Sequence, residues 1–517
     1  MESSTDINAS DAAEPPPQTL QDDTASSKSK PGGIFDKLLF GFVRAPHRSA
    51  PENVKRRSGI SACFEEGVYA QIWITLTGGK FLTDMALYLG AAAIHLGLIS
   101  AIPFLASSAQ LLGARMVEHT RSRKKVVVPT AFVAREIWWI VILVLLLPIS
   151  KPVKMWIFVG LYAISHFSGQ LAGSAWLSWL SDLVPERMRG RVISMRNGLL
   201  IIIALGVDFL LSQMRESLGV PRREMAILII FTVGAIFGAK SILAFKNQWE
   251  PPLPSTRKIP SLKDVFRESF RQAPIRRFAR SLAMWNTALG IATSFWVPHM
   301  MTYLQMSFPQ IFVYTCIVTI SNFIMSRFIW GPLIDRVGTM SVVRFTSSLI
   351  TFIPVFWFIA TPERLGFIWA EAVVNGILWS GFNVAIFNLP FSILPEENRT
   401  HYFAVLSTIG GFALGCGALL GGVIAQALSS MQVTVFGITY INYHVTFGLS
   451  LVMRAATVFQ LRKIPDSRYR GMIYMFQAMG DGLVKNFANP RLMMFARRTP
   501  AQVARKRRIE EQQQGAT

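Results

Sequence analysis

Twelve apolar runs, each near the roughly 20 helical residues needed to cross a ~30 Å hydrocarbon core, leave this chain few folds other than a bundle of membrane-crossing helices. They lie near 66–89, 92–116, 127–149, 154–179, 192–213, 226–245, 281–304, 308–332, 341–361, 365–389, 402–426 and 441–461, and are numbered spans 1 to 12. With 51% hydrophobic and 16% charged residues, the chain is too apolar for a soluble protein of 517 residues. Its formal charge of +22 is gathered into short segments between runs and into the two ends. That is the pattern of cytoplasmic loops rather than of a nucleic-acid face, so no nucleic acid is expected as a partner.

A polar linker with Pro251-Pro252, Arg257-Lys258 and an amphipathic stretch from Leu262 to Phe270 divides the spans six plus six. The expected organisation is a disordered cytoplasmic extension (1–57), an N-terminal six-helix bundle (58–245), a cytoplasmic linker (246–278), a C-terminal six-helix bundle (279–463) and a basic cytoplasmic tail (464–517). The extension is polar, contains Pro15-Pro16-Pro17 and lacks the apolar core of a cleavable signal. With both termini inside, the outer loops hold only Lys151, Lys154, Arg215, Arg222, Arg223 and Arg364. Arg121-Ser122-Arg123-Lys124-Lys125, Arg187 to Arg196, Arg276-Arg277 and the tail then fall inside. The tail, with Arg505-Lys506-Arg507-Arg508, is expected to touch anionic lipid or to be merely solvated. Cys63, Cys316 and Cys416 show no metal-ligand spacing, and neither disulfide, metal nor cofactor is expected.

The two halves share signals. Pro185-Glu186-Arg187-Met188-Arg189-Gly190-Arg191 leaves span 4 and Pro395-Glu396-Glu397-Asn398-Arg399 leaves span 10, with Pro185 and Pro395 210 positions apart. Glu118-His119 after span 2 and Asp335-Arg336 after span 8 are offset by 217. Duplication of this kind implies two pseudo-symmetric bundles with a site between them.

Twelve spans, the six-plus-six repeat and Gly331-Pro332-Leu333-Ile334-Asp335-Arg336-Val337-Gly338 between spans 8 and 9 resemble the major facilitator superfamily over about 66–461. The resemblance implies an all-α fold of twelve transmembrane helices in two pseudo-symmetric six-helix bundles. It also implies that Gly331, Asp335, Arg336 and Gly338 form an inner-gate loop whose carboxylate sits at the start of span 5, around Arg191 to Ser194, when the cytoplasmic side is closed. A carboxylate is favoured at a helix N-terminus. The first-half copy, Ala114 to Arg121, lacks both glycines. Asp182, Arg189 and Arg191, after span 4, resemble a second gating loop of bacterial members; their arginines can bind carboxylates or lipid phosphates, or simply keep positive charge inside. Gly411, Gly415, Gly417, Gly421 and Gly422 give span 11 the spacing for close helix contact.

In that family spans 1, 4, 7 and 10 face the central path, which singles out Trp73, Thr77, Lys80 and Asp84 on span 1. His166 and Gln170 follow on span 4, Asn286, Trp296 and His299 on span 7, and Glu371, Asn375, Trp379 and Asn383 on span 10. Ionisable residues at membrane depth are functional candidates by default. Lys80 is the first choice, expected in a central cavity opposite the span 10 stripe, with pairing to Asp84 as the structural alternative. Arg135 and Glu136 on span 3 are expected to form a buried pair or part of a proton path. Asp208, Arg327 and Arg454 rank lower.

No Gly-x-x-x-x-Gly-Lys-Ser/Thr motif occurs, which argues against hydrolysis of nucleotide as the energy source. The expectation is a monomeric secondary transporter in a bacterial inner membrane that moves a small solute by alternating access. Protons exchanged at Glu371, Asp84 or His166 would couple it, and the solute would be anionic or amphipathic. The alternative is a non-transporting member of the fold acting in membrane assembly or sensing. His166, Glu136 and Asp182 form no recognised catalytic constellation.

Overall fold

The computed structural model describes residues 51–253, 273–393 and 399–461, with a few further positions at 267–271 and 474–480. Residues 1–50, most of the linker and tail, and residues 394–398 lie outside the described residues, and the expected superposition of Pro185 on Pro395 lies outside them too. Residues 51–57, expected to belong to a disordered extension, instead form the first turns of the helix Pro51–Leu76.

The fold is an all-α membrane bundle. Among the described residues, eight helices are long and apolar enough to cross a membrane: Ala93–Thr120, Lys124–Leu146, Glu186–Leu218, Arg223–Asn247, Phe308–Val337, Thr339–Ile359, Gly366–Leu389 and Val405–Ala427. The other expected spans are occupied by helices that are more polar or interrupted. Span 1 is Pro51–Leu76 followed by Gly79–Tyr88, span 4 is Lys151–Leu183, span 7 is Ala273–Thr293 followed by Trp296–Thr302, and span 12 is Asn442–Leu461. Three of these four are spans assigned to the central path, where polar side chains meet other polar groups instead of lipid.

Span 1 begins some fifteen residues before its apolar run, which carries Glu66 well inside a helix. It breaks at Thr77-Gly78, and Gly79 has φ +53, a conformation glycine adopts without cost. In span 8 a π-helical turn, Ser326–Trp330, precedes Gly331-Pro332. Proline lacks an N–H for the helical ladder, so the wide turn accommodates it. Spans 11 and 12 are joined by a β-hairpin, Gln432–Val435 with Ile438–Ile441, paired from Gln432↔Ile441 to Val435↔Ile438.

Span 11 is packed backbone to backbone on two faces. Span 11 lies on span 7 with no room for a side chain: a Cβ on Gly417 or Gly421 would come within 2.3 Å of the Thr287 carbonyl oxygen or 2.2 Å of that of Ile291. Its other face meets span 2 across the halves, where Gly97 faces Gly422 backbone to backbone and Leu105 covers Gly415. Spans 5 and 8 pack against each other, and so do the second segments of spans 1 and 7. These latter contacts lie toward one end of the bundle, the end that carries Tyr88, Leu218 and Phe308.

Candidate functional site

In the first half, spans 1, 3, 4, 5 and 6 enclose a cavity of about 350 Å³ lined by Glu66, Trp73, Arg135, Trp176, Arg196 and small or apolar residues. Glu66 is 2% exposed and accepts from Arg135 Nη2 at 2.9 Å and from Arg196 Nη2 at 3.5 Å. The guanidiniums also lie over rings: Arg135 is 5.6 Å from the centre of Trp73 and 5.0 Å from Phe245, and Arg196 is 5.0 Å from Trp176. Such cation–π contacts compensate part of the hydration lost on burial. Two cations face one anion here. Arg135 Nη1, Trp73 Nε1 and Trp176 Nε1 are buried donors without a partner. The expected Arg135–Glu136 pair does not form. Neighbours in a helix point in different directions, and Glu136 turns to Trp139 while Arg135 turns inward to Glu66.

In the second half a cavity of about 390 Å³ is lined by Trp296, Tyr314, Trp357, Glu371, Asn375, Trp379 and Arg454, among others. Glu371 is fully buried and accepts from Tyr314 Oη and Asn375 Nδ2, both at 2.8 Å. No cation pairs with it among the described residues; both hydrogen bonds come from neutral groups. Arg454, 3% exposed, donates to the Ile350 carbonyl at 3.4 Å while its Nε has no partner. Next to the cavity, His299 and His444 meet at 3.3 Å between their Nε2 atoms among the rings of Tyr303, Trp357 and Phe447.

Lys80 lines neither cavity. The break at Gly78-Gly79 starts a new helical segment that turns it toward spans 5 and 8, where Nζ pairs with Asp208 at 3.0 Å and donates to the Phe308 carbonyl at 3.3 Å. Pairing with Asp84 is thereby corrected: Asp84 is taken by Arg215, through both carboxylate oxygens, and by Arg223. A two-pronged guanidinium contact outcompetes a single ammonium for a carboxylate. The Phe308 N–H is one of the orphan donors at the start of span 8, and Glu216 Oε2 accepts it at 3.2 Å. Both backbone groups of Phe308 are thus held by side chains of the other half. Its ring stacks on Phe81 at 6.0 Å, with the Arg215 guanidinium 5.0 Å from its centre.

The remaining expected residues are dispersed. Thr77 bonds the Trp73 carbonyl, His166 packs edge-on against Tyr162, Gln170 bonds Gln110, and Asn286 bonds its own turn at Leu282. Asp335 and Arg336 are exposed. Asp182 is held by Arg123, a fully buried arginine that also bonds Ser178 and the Pro251 carbonyl, and Arg189 bonds the Ser181 carbonyl at 2.7 Å. Gly338 has φ +83 and separates two helices; 217 residues earlier, Arg121 occupies the left-handed region with φ +53 at the end of Ala109–Thr120. The equivalent positions thus share a positive φ but not the same turn, since ψ is 153 at Gly338 and 23 at Arg121.

Glu66, Arg196 and Asp208 were the functional candidates the sequence undervalued. Glu66 stood at the edge of an apolar run, and Arg196 stood at the end of a basic loop. Only the full helix lengths place both inside helices, and only the packing of those helices buries them.

The family model described as Major Facilitator Superfamily matches residues 72–418. Among curated proteins no sequence matches. Solved structures with a similar fold include a mutant of the nucleoside transporter NupG, with 13% identity, 78% of this chain and 100% of that chain covered, and a TM-score of 0.61. A D-xylose-proton symporter has 12% identity, coverage of 80% and 98%, and a TM-score of 0.58. A bacterial homolog of the human lysosomal transporter Spinster, inward-facing and unoccupied, has 14% identity, coverage of 84% and 98%, and a TM-score of 0.53.

Proposed function

Because the chain belongs to the major facilitator superfamily, we propose that it is a secondary transporter that moves a small organic solute by alternating access, coupled to protons at Glu371. Its membrane is read as a bacterial inner membrane, with both termini cytoplasmic. In that orientation the end carrying Phe308 is the outer one, and the Phe308 clamp is an outer seal.

The observation that carries the reading is a polar clamp at one place in the interface between the halves. Span 11 meets span 7 of its own half and span 2 of the other half backbone to backbone. At the outer end the halves are joined by Lys80 and Glu216 on the two backbone groups of one residue, with aromatic rings around them. Two such hydrogen bonds contribute about 1.5–3 kcal/mol each, within the range a bound solute can offset. Breaking them would free the side of the interface where spans 5 and 8 meet while spans 2 and 11 stay in contact, so that the halves could rock as rigid bodies, the motion of alternating access in duplicated transporters.

Glu371 suits proton coupling because neutral donors hold it. Tyr314 can turn its hydroxyl to accept from the protonated form, so both forms can be accommodated. The nucleoside and sugar–proton solutes of the similar folds set the range to test. Uptake of labelled organic acids, nucleosides and pentoses into proteoliposomes under an inward proton gradient should show accumulation that a protonophore collapses. Uptake equal to that of protein-free liposomes across the panel, with folded protein, contradicts the proposal.

A further inference from the structure

We infer that the first-half cavity binds the acid group of a small monoanionic organic solute with a flat apolar body. This rests on the transporter reading only for its consequence, since binding itself is an equilibrium property of the folded protein. Three observations converge. Arg135 and Arg196 share a single carboxylate, Glu66, so the buried cluster carries one positive charge in excess. An uncompensated charge at this depth is costly, and an incoming anion removes the cost. The three residues that carry unpartnered buried donors, Arg135 at Nη1 and Trp73 and Trp176 at Nε1, all line the same cavity. Arg135 is itself only 8% exposed. The rest of the wall is glycine, alanine, isoleucine, leucine and phenylalanine, with only Gln71 adding a neutral polar group. At about 350 Å³ the space falls at the lower end of the ~300–1,000 Å³ typical of small-molecule sites.

The chemistry follows from the donors. A carboxylate accepts from the free guanidinium nitrogen and from indole N–H groups at once, while its apolar body lies along the Trp rings. A neutral amide of the same shape offers one acceptor and no charge. A dianion would overbalance the single excess charge.

The test uses the full-length protein in nanodiscs of zwitterionic lipid, with benzoate as the probe and benzamide as its neutral match, read by calorimetry. The expected result is benzoate binding at least tenfold tighter than benzamide, because hydrogen bonds to charged groups are the strong ones. Arg135→Gln should weaken benzoate tenfold or more. Glu66→Gln, which removes the competing carboxylate, should leave it unchanged or tighten it, a direction that mere damage to the fold would not produce. Trp176→Phe keeps the ring and loses the donor, and should weaken benzoate severalfold. Equal binding of benzoate and benzamide, or benzoate binding indifferent to both Arg135→Gln and Glu66→Gln, overturns the inference. So does loss of the benzoate signal when phosphatidylglycerol is added, which would assign the cavity to a lipid headgroup. Flux without benzoate binding removes this inference and leaves the transporter reading; binding without any flux does the reverse.

Discussion

The two halves of this molecule handle buried charge in opposite ways. The first half places acids and bases together: Glu66 with Arg135 and Arg196, Asp84 with Arg215 and Arg223, Lys80 with Asp208, and Arg123 with Asp182. The second half keeps Glu371 among neutral donors and Arg454 on a backbone carbonyl. A carboxylate fixed between guanidiniums serves to position those cations. A carboxylate held by a phenol and an amide can be satisfied with or without its proton. Pseudo-symmetric helices thus carry clusters of paired charges in one half and a carboxylate held by neutral donors in the other.

The largest effect that would sharpen this contrast is on stability. Glu66→Ala leaves two buried guanidiniums without an acid and should cost about 3–5 kcal/mol. Glu371→Ala leaves only Tyr314 and Asn375 unpaired and should cost about 1–3 kcal/mol. Chemical unfolding in detergent measures both, and equal losses would break the distinction.

Backbone packing comes next. Gly417→Ala puts a methyl against the Thr287 carbonyl and should destabilise by about 1–3 kcal/mol, whereas Gly206→Ala, in open space, should be neutral or slightly stabilising. The same unfolding experiment tells them apart. The clamp at Phe308 comes after it. Lys80→Met removes the bond to Phe308 and the pair with Asp208 and should open the contact beside them, read as faster labelling of Phe81→Cys, a position 2% exposed, by an impermeant maleimide. Unchanged labelling would show that Lys80 does not hold the halves together.

The smallest effect concerns the two positive-φ residues, Arg121 and Gly338. Arg121→Gly relieves a left-handed backbone and should stabilise by up to about 1 kcal/mol, while Gly338→Ala should destabilise by about 1–2 kcal/mol. Thermal melting of the two variants measures the difference. Changes of the same sign would show that positive φ does not set the cost at these two positions.

Much of the architecture was legible because helix length, apolar runs and glycine spacing are local properties. The break at Gly78-Gly79, the close packing of span 11 and the turn at Gly338 follow directly from glycine's freedom or size. The partners of charged residues were not legible in the same way. Lys80 and Asp84 sit one turn apart and invite pairing, but the choice was made by Asp208 and Arg215 on span 5, more than 120 residues away. Arg135 found Glu66, 69 positions earlier, on a helix that starts before its apolar run does. Side-chain pairing across helices depends on their relative rotation, which no single stretch of sequence encodes.

The most direct test of the division between a binding half and a coupling half is transport by Glu371→Gln in proteoliposomes, measured once as solute exchange with no gradient and once as accumulation under a proton gradient. The account predicts that the variant retains exchange at a rate near that of the unaltered protein and loses accumulation. Accumulation by Glu371→Gln at the unaltered level would contradict it.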